Sequence, residues 1–599
     1  MFGLVLIVVI IIIIVSIILV RRSRKGLPVS RTKGVSATRR VWLYLITLVS
    51  LGVFVAGVGQ LLSLLFEVTI KGSHLTQVGQ ATFNEQLLSL GLAMTVIGGP
   101  LWILFWRAIQ RRTRDNQEET GDMIRKLYLN FVLLETALMG ITTASSFLMW
   151  LMAGLPLEQF SSGSLAIAIV AGIVWYYHWR VSEREGHPSS GAKTLRRWYV
   201  YILSGFGLVW LAVGLVQLID IASVNLQAWQ GALVQGKFWS STAQTCVAQI
   251  ILGGVAWYFH WFRMARGDVD STLRQVYFYL LTISGGAIAA LVALTITLFR
   301  FFGWVFDGTP ISPGPTFQFL GWAVPTFLVG LAIWGYHRRL AEEEASAVRE
   351  GRQSAQRGYL YLMSFLGLGT LVTGMSMLFG ILVGLIIDSA STSLVQTSGW
   401  WRDQLSLCLA LLLVGTPLWL YYWNGILKRV RVGGIEEWRA LPRRIFLYVI
   451  IGASIVALTA ALVNIIYQIL NGALQGNFGV NVLRNSKWSI EALIVAAPLL
   501  WYHWQLLRTD QLRGGEPVVI RHNVTLLVDD RTGDLASRLE DKLGYKIRVL
   551  YQVGQPGVPS VLPDEEIDRL ADEVQASTSN DVMLVVFGGK VITMPYQDK

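Results

Sequence analysis

Charge is scarce in this sequence. Of its 599 residues, 15% are Asp, Glu, Lys or Arg, against roughly 25% in ordinary soluble chains. That deficit excludes intrinsic disorder and most folds built around one soluble core. Cysteine is scarcer still. Cys246 and Cys408 are the only two, both inside apolar runs; this excludes a disulfide framework and a four-cysteine metal site, and leaves them as small buried hydrophobes. Catalytic signatures are also missing: there is no zinc-protease helix, nucleophile elbow, dinucleotide fingerprint or calcium loop. Hydrophobic residues, by contrast, make up 53% of the chain, with 23 Trp, 20 Tyr and 25 Phe. Aromatic abundance of this kind suits membrane interfaces, where amphipathic rings collect. The composition points to a multi-pass membrane protein with no enzymatic activity, no cofactor and no metal.

A helix needs about 20 mainly apolar residues to cross the hydrocarbon layer. That length predicts a first span near 2–20 and twelve more near 41–66, 85–106, 127–152, 164–181, 198–221, 241–263, 276–300, 317–337, 359–387, 404–427, 445–470 and 488–507. The first span is followed by Arg21, Arg22, Arg24 and Lys25, the reverse of a cleavable signal, and reads as a retained anchor. A basic cytoplasmic linker, 21–38, comes next.

Orientation follows from the connections. Those that alternate with the outer ones, beginning at 21–40 and ending at 508–513, hold 35 Lys or Arg; the opposite set holds six, namely Lys71, Lys237, Arg300, Arg402, Arg484 and Lys487. Positive charge stays on the cytoplasmic side during insertion. The amino terminus is therefore expected outside a bacterial inner membrane and the carboxyl end in the cytoplasm. The net charge of +12 becomes an orientation signal and a contact for anionic lipid headgroups, with no nucleic acid as partner.

The spans repeat. Entrances to the outward-going helices read RRVWLYL, RKLYLNF, RRWYVYI, RQVYFYL, RGYLYL and RRIFLYV, aligned on Tyr44, Asn130, Tyr201, Tyr279, Tyr361 and Tyr448. Here arginine is expected to face lipid phosphate while the ring lies at headgroup level. Returning helices end in PLWILFWR, VWYYHWR, AWYFHWFR, AIWGYHRR, PLWLYYWN and PLLWYHWQ, aligned on Phe105, His178, His260, His337, Tyr422 and His503. Six parallel hairpins result. Thirteen residues past the entrance position stand Gly57, Gly214 and Gly374, in alternate hairpins only. The unit is then two hairpins, giving four-helix modules at 39–182, 195–341 and 356–508, with glycine allowing close helix approach.

This pattern, Arg then Tyr-X-Tyr-Leu at entrances and Trp-X-X-His-Trp-Arg at exits, resembles a bacterial multi-pass family catalogued as a membrane domain of unknown function. The resemblance covers about 470 of the 599 residues in tandem copies. It implies architecture and no mechanism. Asn130, Phe105 and Tyr422 depart from the pattern.

Candidate site residues are few. His178, His260, His337 and His503 share one depth; imidazoles on facing helices can ligate haem iron, whereas rings in an interfacial belt need no ligand. Glu135 stands well inside its span and is the attractive proton or cation site, since an ionisable group there faces a cavity or a partner. Glu67, Asp220 and Asp388 lie near outer ends and are expected to be solvated, and Glu491 lies near the outer end of the last span. Gln60, Gln217 and Asn464 recur at one level, suited to interhelical hydrogen bonds or to a shared solute pathway. GHPSSGAKT, Gly186 to Thr194, has one residue too many between glycine and lysine for a phosphate-binding loop and follows no strand.

From 516 to 599 the composition turns acidic, with 14 Asp or Glu against nine Lys or Arg. A soluble α+β domain is expected: a strand over Val518–Val528, then a helix capped by Thr532 with Leu535, Leu539 and Leu543 on one face, closed by Gly544. A strand over Ile547–Tyr551 follows. After Pro563 comes a helix burying Ile567, Leu570, Ala571 and Val574, and the chain ends in a hairpin turning at Gly588 and Gly589. Asp529, Asp530 and Asp534 read as a solvated turn or a divalent-ion site. The fold class is thus an all-α polytopic protein of about 13 transmembrane helices with a small cytoplasmic domain. A scaffold or sensor holding that domain for a cytoplasmic protein partner is the leading expectation; a small-solute or ion transporter using Glu135, and a haem redox protein, are the others.

Overall fold

The computed structural model describes residues 31–72, 78–187, 189–229, 238–269, 271–307, 317–344, 350–389, 400–476, 479–513, 523–528, 535–551, 564–575, 577, 581–587 and 590–596. The expected anchor at 2–20, Thr532, the Asp529, Asp530 and Asp534 group and the Gly588–Gly589 turn lie outside them.

Helices occupy each of the twelve span positions from 41 onward: α1 (Arg31–Ile70), α2 (Val78–Asp115), α3 (Met123–Met152), α4 (Ser162–Glu185), α5 (Ser190–Trp229) and α6 (Ser241–Tyr258), which runs into a π-helical turn over Phe259–Met264. The short α7 (Thr272–Val276) passes through a second π-helical segment, Tyr277–Ile283, into α8 (Ser284–Asp307). Then come α9 (Leu320–Glu343), α10 (Glu350–Ser389), α11 (Trp400–Trp438), α12 (Leu441–Leu474), the short α13 (Val480–Asn485) and α14 (Lys487–Arg513). Helix α1 begins inside the stretch expected as linker. Among the described residues eleven helices are long and apolar enough to cross a membrane. Helix α9 is the exception among the twelve, because Gly, Pro325, Trp, Tyr and His337 dilute its apolar run.

Contacts divide the chain into two compact units, Met1–Leu427 with Ala461–Val495, and Lys428–Ala460 with Ala496–Lys599. In the first unit each helix packs on its successor in pairs, α1 on α2, α3 on α4, α5 on α6 and α8 on α9; α1 also packs on α4, and α5 on α9. Glycine permits the close approach. A Cβ at Gly57 would stand 2.7 Å from the Thr95 nitrogen, and one at Gly214 would stand 2.8 Å from the Cys246 carbonyl oxygen. At Gly374 it would press on Leu411 and Leu412. Cys246 and Cys408 are buried free thiols, and Cys408 donates to the Gly374 carbonyl at 3.3 Å.

Within the second unit, the C-terminal residues form a four-stranded sheet ordered β2-β1-β3-β4, where β1 is Asn523–Val528, β2 Arg548–Tyr551, β3 Asp581–Phe587 and β4 Lys590–Tyr596. Strand β1 is parallel to β2 and β3; β3 and β4 are antiparallel, with Phe587 opposite Lys590. Helices α15 (Leu535–Leu543) and α16 (Asp564–Gln575) bury the leucine face and the Ile567, Leu570, Ala571 and Val574 face foreseen from their spacing. So small a core has little surplus stability. Leu526→Ala, at a fully buried position between β2 and β3, is expected to cost about 2–5 kcal/mol. Amide exchange should then show the whole sheet losing protection while helices α1–α6 keep theirs.

Candidate functional site

The aligned ends of the helices meet. In every hairpin the ring two residues before the entrance position packs on the ring at the exit position: Trp42 on Phe105, Tyr128 on His178, Tyr199 on His260, Tyr277 on His337, Tyr359 on Tyr422 and Phe446 on His503. Their centroids lie 5.5 to 6.2 Å apart. Each pair closes a hairpin at its basic end. The expected lipid-facing tyrosine anchor is therefore corrected: Tyr44, Tyr201, Tyr279 and Tyr361 are buried in protein, and of the five entrance tyrosines Tyr448 is the exposed one. Close packing between neighbouring helices removes these rings from the headgroup level.

The four histidines are buried as well. Each Nδ1 lies 2.8 or 2.9 Å from the carbonyl oxygen four residues back in its own helix, Val174, Ala256, Ile333 or Leu499. A carbonyl only accepts, so Nδ1 carries the proton and Nε2 presents a lone pair. The Tyr128 hydroxyl lies 3.4 Å from Nε2 of His178, and the Tyr199 hydroxyl 3.2 Å from that of His260. His337 Nε2 has no partner among the described residues and sits among Trp261, Tyr277, Phe278 and Tyr336. Where histidine is replaced, Tyr422 shares a 2.5 Å hydrogen bond with Tyr359. The described ring contacts give each histidine partners of its own and join no two histidines.

A stronger feature lies one turn beyond. Arg125, Arg274 and Arg443, each five residues before the entrance position, pair with Glu185, Glu344 and Asp510, each seven residues past the exit position. All three pairings are two-pronged: Arg274 Nε and Nη2 reach Glu344 at 2.7 and 2.6 Å, and Arg443 Nε and Nη2 reach Asp510 at 2.5 and 3.0 Å. Arg125 donates to Glu185 through Nε at 3.0 Å and also through Nη2. Such fork-to-carboxylate pairs combine geometric specificity with strong charge-assisted bonds. The arginine side chains are 0%, 5% and 2% exposed, so the expectation that they face lipid phosphate is corrected: a carboxylate from the returning helix takes the place of the phosphate. The clamp occurs in this register in the second, fourth and sixth hairpins, and in the third Arg197 pairs with Asp268, one residue further along each helix, through Nε at 2.7 Å and Nη2 at 2.6 Å. The first, third and fifth have Arg112, Gly267 and Arg429 at the acid's position.

Lys126 joins the first clamp, its ammonium 3.0 Å from Glu185 and its side chain fully buried. Among the expected polar positions, Gln217 accepts from Cys246 at 3.7 Å and Asn464 from Ser489 at 2.9 Å, both across a hairpin. Gln60 packs its Cβ beside Gly91 on α2. Glu135 is half-buried in α3 with no hydrogen-bond partner or ion pair among the described residues.

The far-end carboxylates, read from sequence as lying near outer ends with Glu67 and Asp220 solvated, meet neighbouring helices. Glu67 accepts from Ser162 at 2.7 Å, joining α1 to α4. A Cβ on Gly321 would run into Asp220, which joins α5 to α9, and one on Gly380 would stand 2.8 Å from Glu491, which joins α10 to α14. The described residues of 186–194 follow helix α4, which Gly186 terminates with φ of 64°, where a phosphate-binding loop follows a strand.

A family model described as Domain of unknown function (DUF5671) matches residues 40–156, 157–224, 216–328 and 357–484. No curated protein and no solved structure matches the chain. The first and last matched segments open at the entrances of α1 and α10, at the Arg and aromatic motif whose rings pair across the hairpins. With tandem matches over more than half of its length, the chain belongs to the DUF5671 family.

Proposed function

We propose that the chain is a bacterial inner-membrane scaffold or sensor, in which three four-helix modules hold the acidic C-terminal α+β domain in the cytoplasm for a protein partner. The observation that carries this reading is the cross-bracing of the basic ends, where an aromatic pair closes all six hairpins and an arginine–carboxylate pair closes the second, third, fourth and sixth. Braced helices leave few charges for a solute to meet. The 35 basic residues of the alternate connections support an orientation with the braced face inside the cell. Chemical crosslinking in cells should join a partner to the full chain and lose it when residues 516–599 are removed. Unchanged crosslinks and unchanged growth after that truncation would defeat the reading.

A second reading, transport of a small cation or proton, is favoured by Glu135 alone, because a carboxylate inside an apolar helix without a partner is costly unless it serves a cavity. Under this reading proteoliposomes show flux that Glu135→Gln abolishes, whereas under the scaffold reading parent and variant are equally tight.

A further inference from the structure

We propose that Lys126, His187 and Arg196, at the basic end where α4 turns into α5, form a binding site for a phosphoryl group, carried by an anionic lipid head or by free phosphate.

The site is built from donors whose hydrogen-bonding capacity is only partly used. The Lys126 ammonium carries three N–H groups and is fully buried, yet its one acceptor among the described residues is Glu185 Oε2 at 3.0 Å, an oxygen that Arg125 also uses. Arg196 donates through Nη2 to Glu183 at 2.6 Å, while its buried Nη1 has no acceptor. The buried Nδ1 of His187 has no partner either. Three cations, Arg125, Lys126 and Arg196, share two contacting carboxylates, Glu183 and Glu185, while the neighbouring Glu119 and Asp122 are engaged by Arg40, so these three cations have one directly paired carboxylate too few. A buried charge without its counter-charge is strongly disfavoured, and an anion removes that penalty.

The three donors lie within electrostatic reach of one another. Lys126 and Arg196 act on each other and both act on His187, whose burial, followed by those two cations, pushes it down to about 4. A neutral imidazole there offers an N–H without adding charge. The start of α5 contributes the positive end of its dipole, but its cap is already taken: Ser189 Oγ accepts from the Ala192 nitrogen at 3.1 Å and donates to the Gly121 carbonyl at 3.0 Å. Side chains therefore hold the ligand, in contrast to the backbone cradle of a nucleotide loop. A phosphoryl group suits them because several oxygens can serve an ammonium, a guanidinium edge and an imidazole together.

The test uses the full-length protein in nanodiscs of phosphatidylcholine, titrated calorimetrically with inorganic phosphate, and in parallel nanodiscs containing phosphatidylglycerol, followed by native mass spectrometry. The expected result is one saturable site for phosphate, or one retained phosphatidylglycerol per chain. Lys126→Met and Arg196→Gln should each weaken it at least about tenfold, the effect of one charge-assisted hydrogen bond. Lys126→Met leaves Arg125 paired with Glu185, and His187→Ala, on the connection between helices, provides a second variant should the first not fold. Competition assigns the source: phosphatidylglycerol that displaces phosphate identifies a lipid site, and equal phosphate affinity in both discs identifies a free-ion site. Absence of both ligands, or affinity unchanged in Arg196→Gln and His187→Ala, overturns the proposal.

Discussion

Glu185→Gln should be among the most damaging single substitutions in the helical part of the chain, costing about 3–5 kcal/mol. The carboxylate is 11% exposed and neutralises two fully buried cations, Arg125 and Lys126. Glutamine keeps the volume and removes the charge, so both cations remain buried against a neutral amide. At the other clamps one cation is stranded instead of two. Both arginines have further partners, Arg274 the Trp261 ring at 4.6 Å and the Ala265 carbonyl at 2.8 Å, Arg125 the Trp106 ring at 5.5 Å and the Gln110 side-chain oxygen at 3.2 Å, so the difference between the two clamps rests on Lys126. Glu344→Gln is therefore expected to be milder. The double variant Arg274→Met, Glu344→Leu should recover most of its loss, since an apolar pair of similar volume replaces a buried ion pair at little or no cost. Arg125→Met with Glu185→Leu should not recover, because Lys126 is left alone. Reversible unfolding in phosphate-free bicelles measures all four. Equal stability of Glu185→Gln and Glu344→Gln would show that Lys126 is neutral or otherwise compensated.

Much of the helical architecture was legible because lipid imposes a length: an apolar run of about 20 residues has few other uses. Periodicity worked equally well in the C-terminal sheet and helices, where Leu535, Leu539 and Leu543 recur every fourth residue and are all buried. Alignment of the hairpin ends found the right register and assigned it the wrong environment. Spacing assigns Tyr44, Tyr201, Tyr279 and Tyr361 to headgroup level because rings next to arginine usually belong there. What spacing alone could not show is that neighbouring helices cover them. Nor could it show that the ring two residues earlier is the partner of His178 or His260.

The clamps left a readable trace in an acid seven residues past the exit position, at Glu185, Glu344 and Asp510, paired with Arg125, Arg274 and Arg443. Counting basic residues for orientation hid it, because such a count treats every arginine as facing water or lipid. The same count treated Lys126 as a surface charge. Burial of a cation depends on a carboxylate sixty residues away in sequence, which no local pattern reports.

Close helix packing yields the other large effect. Gly286→Ala is expected to destabilise the α8–α9 pair by about 3 kcal/mol, the upper end of what overpacking costs. The two helices meet through a reciprocal glycine contact, in which a Cβ on Gly286 would lie 2.6 Å from the Gly330 carbonyl oxygen and 2.9 Å from the Trp334 nitrogen. One on Gly330 would lie 2.6 Å from the Gly286 oxygen and 2.9 Å from the Ala290 nitrogen. Backbone atoms on both sides cannot rotate away as a side chain would, so a single methyl must push the helices apart along their length. Backbone-to-backbone packing of this kind can replace the hydrophobic effect as the source of association where helices cross a membrane, and the loss is not regained elsewhere. Gly285→Ala supplies the control, one residue away with nothing within 4 Å of its Cβ. There alanine should be neutral or stabilising by up to about 1 kcal/mol, its intrinsic helical advantage over glycine. A difference of opposite sign between adjacent glycines, measured by unfolding in the same bicelles, isolates contact from propensity. Equal effects at 285 and 286 would mean that the helices do not touch at Gly330.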